Sequence, residues 1–142
     1  MRVKRVASNG RAYEVNAACT VPQQLNKADV LGQLDDIGAR LLGPGARRPV
    51  LMESSDDKSY TYLKHYIYLC LENKPAFNTL TYVYIHELAH FVNKFSVGHG
   101  LSFRKTFFQL LQRAVALGLY EDTDYAATPQ TYCGLVINSS AG

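Results

Sequence analysis

Four residues in one short stretch carry the chemistry that this sequence can do. His86, Glu87 and His90 form an H-E-x-x-H pattern, and His99 follows nine residues after His90 inside Gly98-His99-Gly100. On a helix, two histidines four apart lie one turn from each other on the same side, close enough to bind one ion. The glutamate between them is poorly placed to be a ligand and faces the position where a water would sit. A bound zinc ion lowers the pKa of such a water to about 7, so a neighbouring carboxylate can take its proton. Catalytic zinc sites use three protein ligands and keep one position open. The spacing therefore predicts His86, His90 and His99 as metal ligands, one Zn2+ per chain, and Glu87 as the catalytic base. Glu121, Asp122 and Asp124 are rivals to His99 as third ligand.

The elements around this stretch must place it. A helix over roughly 79–95, capped by Asn78 or Thr79, gives a consistent wheel. With about 100° per residue, His90 falls at about 40° from His86. Leu80, Tyr84, Leu88, Phe91, Val92 and Phe95 occupy the back of the same wheel. The glycines at 98 and 100 suggest a sharp bend that returns His99 to the helix. Ser102 is a candidate cap for a third helix, with the stripe Phe103, Phe107, Leu110, Ala114 and Leu117 and a stop at Gly118. A first helix begins near Thr20-Val21-Pro22, carries Leu25, Ala28, Leu31, Leu34, Ile37 and Leu41 on one face, and stops at Gly43-Pro44. Strands are expected near 11–16, at 47–52 and at 66–71, with a short strand or extended tail after Pro129. Glu53–Lys58 reads as a polar surface turn.

Composition bounds the class. The chain has 142 residues, 47% of them hydrophobic and 19% charged, with a net charge of +3, as expected of one globular domain and not of a disordered chain. Cys19, Cys70 and Cys133 are scattered and odd in number, which predicts reduced core thiols and an intracellular protein, cytoplasmic or nuclear. No apolar region follows the basic start, so no secretory signal is expected, and no apolar run reaches spanning length. Residues 1–10 read as a basic, solvated arm and 138–142 as a fraying tail. His65 reads as a surface or sheet-edge residue.

His86-Glu87-Leu88-Ala89-His90, followed by Gly98-His99-Gly100-Leu101-Ser102-Phe103, resembles the WLM and SprT-like metallopeptidases. Those families pair HExxH with a downstream GH or HG and an aromatic residue four positions later, here Phe103; small stand-alone versions occur in large DNA viruses. The resemblance covers about residues 66–118 and extends to Tyr132-Cys133-Gly134. It implies an α+β, zincin-like fold over 1–142, with a small mixed sheet and an active-site helix. It also implies a zinc-dependent endopeptidase with a protein or peptide substrate. Some relatives in the group cleave DNA–protein crosslinks, which would bring DNA-associated substrates. The chain lacks the zinc finger of the larger members, so DNA is weakly supported as a partner, and no membrane partner is expected. In such peptidases a peptide adds to the sheet edge next to the active helix, and Tyr66–Leu71 is the expected edge. Tyr120, Tyr125 and Tyr132 are candidates to steady an oxyanion. The alternative reading is a catalytically weak zinc module that recognises DNA or a protein through Lys94, Arg104, Lys105 and Arg113.

Overall fold

The first long helix, α1, spans Val21–Leu42 in the computed structural model, which describes residues 1–93 and 99–138. Its start is a capping box: the Gln23 amide donates to the Thr20 hydroxyl, and the Thr20 amide donates to the Gln23 side chain. Gly43 ends it at a φ of 89°, open to glycine at little cost. Ala28, Leu31, Leu34, Ile37 and Leu41 are buried as the spacing predicts, but Leu25 is 42% exposed. Gln24 is buried in its place. Its carboxamide donates to the carbonyls of Ala17 and Cys19 and accepts from Arg5, so hydrogen bonding outweighs the apolar stripe in the first turn.

Residues 1–10 are not a solvated arm. β1 (Arg2–Val6) pairs antiparallel with β2 (Ala12–Asn16) around a turn at Gly10. Arg2 bonds Glu14, Asn16 and the carbonyl of Glu53. Two of the three basic side chains in this stretch, Arg2 and Arg5, are thus tied into the fold, Arg5 through Gln24, while Lys4 stays exposed.

A second sheet carries β3 (Val50–Glu53), β4 (Tyr60–Tyr62) and β5 (Tyr66–Leu69) in the order β3-β5-β4. β3 runs parallel to β5, and β4 runs antiparallel to it. The alternation of β5 buries Ile67 and Leu69, while Tyr66 and Tyr68 face outward with Tyr60 stacked on Tyr68. β5, expected as the edge, is therefore the centre; β4 is the edge strand that packs beside the histidine helix. The expected surface turn also changes at its start. Glu53 is 0% exposed, with Lys27 2.8 Å from one carboxylate oxygen and the Asn16 amide donating to the other. A buried carboxylate is tolerable only with such partners.

The second helix, α2, spans Phe77–Val92, and the third, α3, spans Leu101–Ala116. Asn78 and Thr79 lie inside α2 and do not cap it. Asn78 instead clamps the main chain of Glu121 through both its amide nitrogen and its amide oxygen. The expected end of this helix at residue 95 lies outside the described residues. Ser102 likewise lies within the first turn of α3, and Gly100 takes the capping position. Phe103, Phe107 and Ala114 of the expected α3 stripe are buried, but Leu111 is buried in place of the expected Leu110, which is half-buried, and Leu117 is exposed. Gly118, at a φ of 73°, ends the helix region as expected. α1 meets α2 where Gly38 lies under the hydroxyl of the buried Tyr84. Residues from all three helices and from β2, β3 and β5 join one cluster of buried side chains. The fold is a mixed α+β arrangement of three helices and small sheets.

After α3 the chain returns as a hairpin, β6 (Gln130–Tyr132) with β7 (Leu135–Ile137), turned by Cys133 and Gly134, both at positive φ. Cys70 and Cys133 are joined in a disulfide across 63 residues of sequence, and Cys19 is free. The expectation of three reduced thiols is corrected. Cys70 follows β5 and Cys133 sits in the hairpin turn, and no sequence spacing could reveal that meeting. The Tyr132 hydroxyl donates to the Cys70 carbonyl at 2.7 Å and lies 2.7 Å from the Ser59 hydroxyl, holding the hairpin to the sheet at the same place. Residues 139–142 of the expected fraying tail lie outside the described residues.

Replacing Cys70 and Cys133 by alanine should lower unfolding free energy by about 4 kcal/mol, from the chain entropy of a loop of this length. Chemical denaturation checks this, and an unchanged midpoint would show that the crosslink contributes nothing. Gly38→Ala should cost about 1–3 kcal/mol, because the new methyl overlaps a tyrosine hydroxyl that is packed on all sides. A variant as stable as the parent would mean that α1 and α2 cross less closely than described.

Candidate metal centre

α2 supplies His86 and His90 one turn apart, and His99 stands just before the first turn of α3. The packing of α2 on α3 brings the three rings together. The Nε2 atom of His99 lies 3.1 Å from Nε2 of His86 and 3.1 Å from Nε2 of His90. One ligand atom from each of the three lies within 4.8 Å of the other two, and no other such group of three occurs among the described residues. Nitrogens about 2.0–2.1 Å from a tetrahedral zinc would be about 3.3 Å apart. The three histidines could therefore hold a metal ion.

Phe103 forms the floor of the cluster. It is 1% exposed, stacks on His90 with ring centres 4.2 Å apart, and meets His86 and His99 edge-on at 5.0 and 4.9 Å. Phe107 adds a second edge contact to His86 at 5.2 Å. These rings exclude water from one side of the imidazoles. Burial, followed by the neighbouring His90 and His99, depresses the pKa of His86 to about 4. Burial, followed by His99 and Lys64, does the same to His90. Both are thereby kept neutral, the form that offers a lone pair to a metal.

The end of α2 is fixed from two sides. The Lys64 ammonium donates to the carbonyls of His90 and Asn93 at 2.9 and 2.7 Å, satisfying two acceptors at the helix C-terminus with a positive charge. Lys64 reaches them from the β4–β5 turn, where Leu63 and Lys64 both adopt positive φ. The Asn93 side chain donates to the Ser102 hydroxyl at 3.2 Å and so ties the two ends that flank residues 94–98. Arg47 donates to the Lys64 carbonyl and lays its guanidinium over Phe91, 4.3 Å from the ring centre.

Glu87 does not face open solvent. It is 7% exposed and turned toward β4, where the Thr61 hydroxyl lies 2.9 Å from its Oε1 and 2.9 Å from its own main-chain carbonyl oxygen. Burial raises its pKa to about 7, against the opposing effect of the Thr61 bonds. A cation at the three histidines would favour the ionised form again. The arrangement sets a buried carboxylate beside a three-nitrogen donor set, a combination that can bind a cation and accept a proton nearby.

The other expected residues separate clearly. Glu121, Asp122 and Asp124 are exposed; Asp124 accepts from the Ala126 amide in its own turn, and none of the three belongs to the histidine group. His65 is exposed against the edge of Tyr66. Gly100 has a φ of −71°, ordinary extended backbone, so the bend before α3 needs no glycine there; Gly98 lies outside the described residues. Tyr120, Tyr125 and Tyr132 are all buried. Tyr120 and Tyr125 pack on the Tyr82 ring. The Tyr132 phenol is pushed up to about 12, chiefly by burial, and its hydroxyl already serves Cys70 and Ser59. Arg104, Lys105 and Arg113 are exposed on α3, and Lys94 lies outside the described residues. Thr61 and Lys64 were not among the expected site residues; both act across long sequence gaps, and neither belongs to a motif.

Among known proteins, the chain is 34% identical over 101 residues to "Uncharacterized protein R325" of Acanthamoeba polyphaga mimivirus, covering 65% of this chain and 51% of that protein. It is 37% identical over 73 residues to "Uncharacterized protein 136R" of Invertebrate iridescent virus 6, covering 46% of this chain and 40% of that one. The chain thus spans about half or less of the length of these relatives. No protein-family model matches it. No solved structure matches it.

Purified wild-type protein should carry one metal ion per chain, and His86→Ala, His90→Ala and His99→Ala should each lose most of it. Elemental analysis reads the identity and stoichiometry directly. A metal content near zero in the wild type, or a His99→Ala variant that keeps its metal, would remove this site.

Proposed function

We propose that this chain is a zinc-dependent endopeptidase of the SprT- and WLM-like, zincin-like type, with His86, His90 and His99 as the metal ligands and Glu87 as the general base. The observation that carries the reading is the meeting of three imidazole nitrogens beside one buried carboxylate, on two helices flanked by an edge strand. A zinc ion bound there would supply a Lewis acid that polarises a carbonyl and acidifies a water.

The residues divide the remaining work. Glu87, with a pKa near 7 before any cation is present, is poised to take a proton from the attacking water and return it to the leaving amine. Phe103 and Phe107 keep one side of the histidines dry and their rings in place. The Lys64 contacts hold the end of α2, so that His90 keeps its angle. A peptide substrate docks as an added strand along β4, which pairs only with β5 among the described residues and packs beside α2.

The basic residues of α3 favour this reading over a nucleic-acid module. Arg104, Lys105 and Arg113 lie at about 0°, 100° and 180° around the helix, so they make no single stripe for a phosphate backbone. Among the described residues no helix is long and apolar enough to cross a membrane. The intracellular placement expected from reduced cysteines loses that support with the Cys70–Cys133 disulfide.

Glu87→Gln should keep its zinc and lower peptide hydrolysis by about 100-fold or more, the usual size of a lost general base. A fluorogenic peptide library and elemental analysis of the same preparation measure both. Equal cleavage by the variant would remove Glu87 from the role, and a zinc-loaded wild type that cleaves no peptide would overturn the peptidase reading.

A further inference from the structure

Thr61 has one hydroxyl proton and two acceptors of Glu87 within reach, Oε1 and the main-chain oxygen, each at 2.9 Å. It sits in the middle of β4, paired with Ile67 of the central strand, and is half-buried. Its neighbours Tyr60 and Tyr62 point to the other face of the sheet, as strand alternation requires. A threonine that only tied strand to helix would need the main-chain oxygen alone. The second contact places the same hydroxyl on the carboxylate.

We propose that Thr61 is a positioning residue for Glu87: from the edge strand, its hydroxyl, 2.9 Å from Oε1, sets the direction of the carboxylate relative to the three histidines. This rests on the peptidase reading above. The other contact, 2.9 Å to the Glu87 main-chain oxygen, fixes the hydroxyl itself against α2, so that the strand, the helix and the carboxylate are held in one geometry. β4 is also the strand along which the substrate is proposed to lie, so one residue would link the docking edge to the base.

Two substitutions separate this role from a packing role. Thr61→Val keeps the branched shape and removes the hydroxyl; Thr61→Ser keeps the hydroxyl and removes the methyl. For Thr61→Val we expect kcat to fall by about 10- to 100-fold, the range for residues that orient a reacting group through a hydrogen bond. We expect KM and zinc content to stay near the wild-type values. Thr61→Ser should recover most of kcat. A crystal structure of metal-free Thr61→Val should find the Glu87 carboxylate turned away from β4. Wild-type kcat in Thr61→Val, or a Thr61→Ser variant as slow as Thr61→Val, would overturn the proposal. If wild-type protein cleaves no peptide, the peptidase reading fails by itself, and the carboxylate position in Thr61→Val still decides whether Thr61 holds it. A carboxylate left in place would then refute the positioning role.

Discussion

The centre depends on one packing contact more than on any hydrogen bond: Phe103 of α3 lies beneath all three imidazoles. His86 and His90 are neighbours on α2 by helix geometry alone. His99 belongs to the chain entering the next helix, and it reaches them only because Phe103 and Phe107 dock α3 on α2. Burying aromatic side chains of this size contributes on the order of 2–3 kcal/mol each, enough to hold three nitrogen donors together against their preference for water. The same burial favours neutral imidazoles. Packing thus does two things at the site: it sets distance and it sets protonation.

Charge is distributed with equal economy. Burial leaves Glu87 with little hydration, and Thr61 is its compensation from the sheet. Glu53, more deeply buried still, is matched by Lys27 and by the Asn16 amide. Asp35 on α1 receives the Tyr13 hydroxyl at 2.6 Å and lies near Arg48. In each case an acid from one element is answered from another, so the polar groups bind the hairpin, the sheet and the helices to one another. A buried acid without its partner would cost more than most single contacts supply. These pairs therefore specify which elements meet, in addition to whatever stability they add.

The three helices were legible because their signals are local. The Thr20–Gln23 box, Pro22 and Gly43 bound α1 within a residue of the expected span, and the buried back of α2 follows from its wheel. The errors occur where a distant partner overrode a local pattern. Leu25 lost its buried place to Gln24 because Arg5 and two carbonyls wait there. Ser102 and Asn78, good caps by type, were taken by Asn93 and by Glu121. The basic start became a strand because β2 offers a partner and Glu14, Asn16 and Gln24 answer its arginines. Strand order was beyond local reading altogether: the alternation in Tyr66–Leu69 marks a strand but does not say that β3 and β4 flank it.

Residue spacing alone decided the donor types, their order and the helix that carries two of them, since those follow from 3.6 residues per turn. Only the tertiary structure decided that His99, and none of the acids after Tyr120, completes the cluster. It alone turned Glu87 toward a strand, brought Thr61 to it across 26 residues, and joined Cys70 to Cys133 across 63. The physical reason is common to all three. Helix periodicity is written in neighbours a few residues apart, whereas these contacts depend on how separately formed elements bury their apolar faces together. That choice is made by the whole core at once.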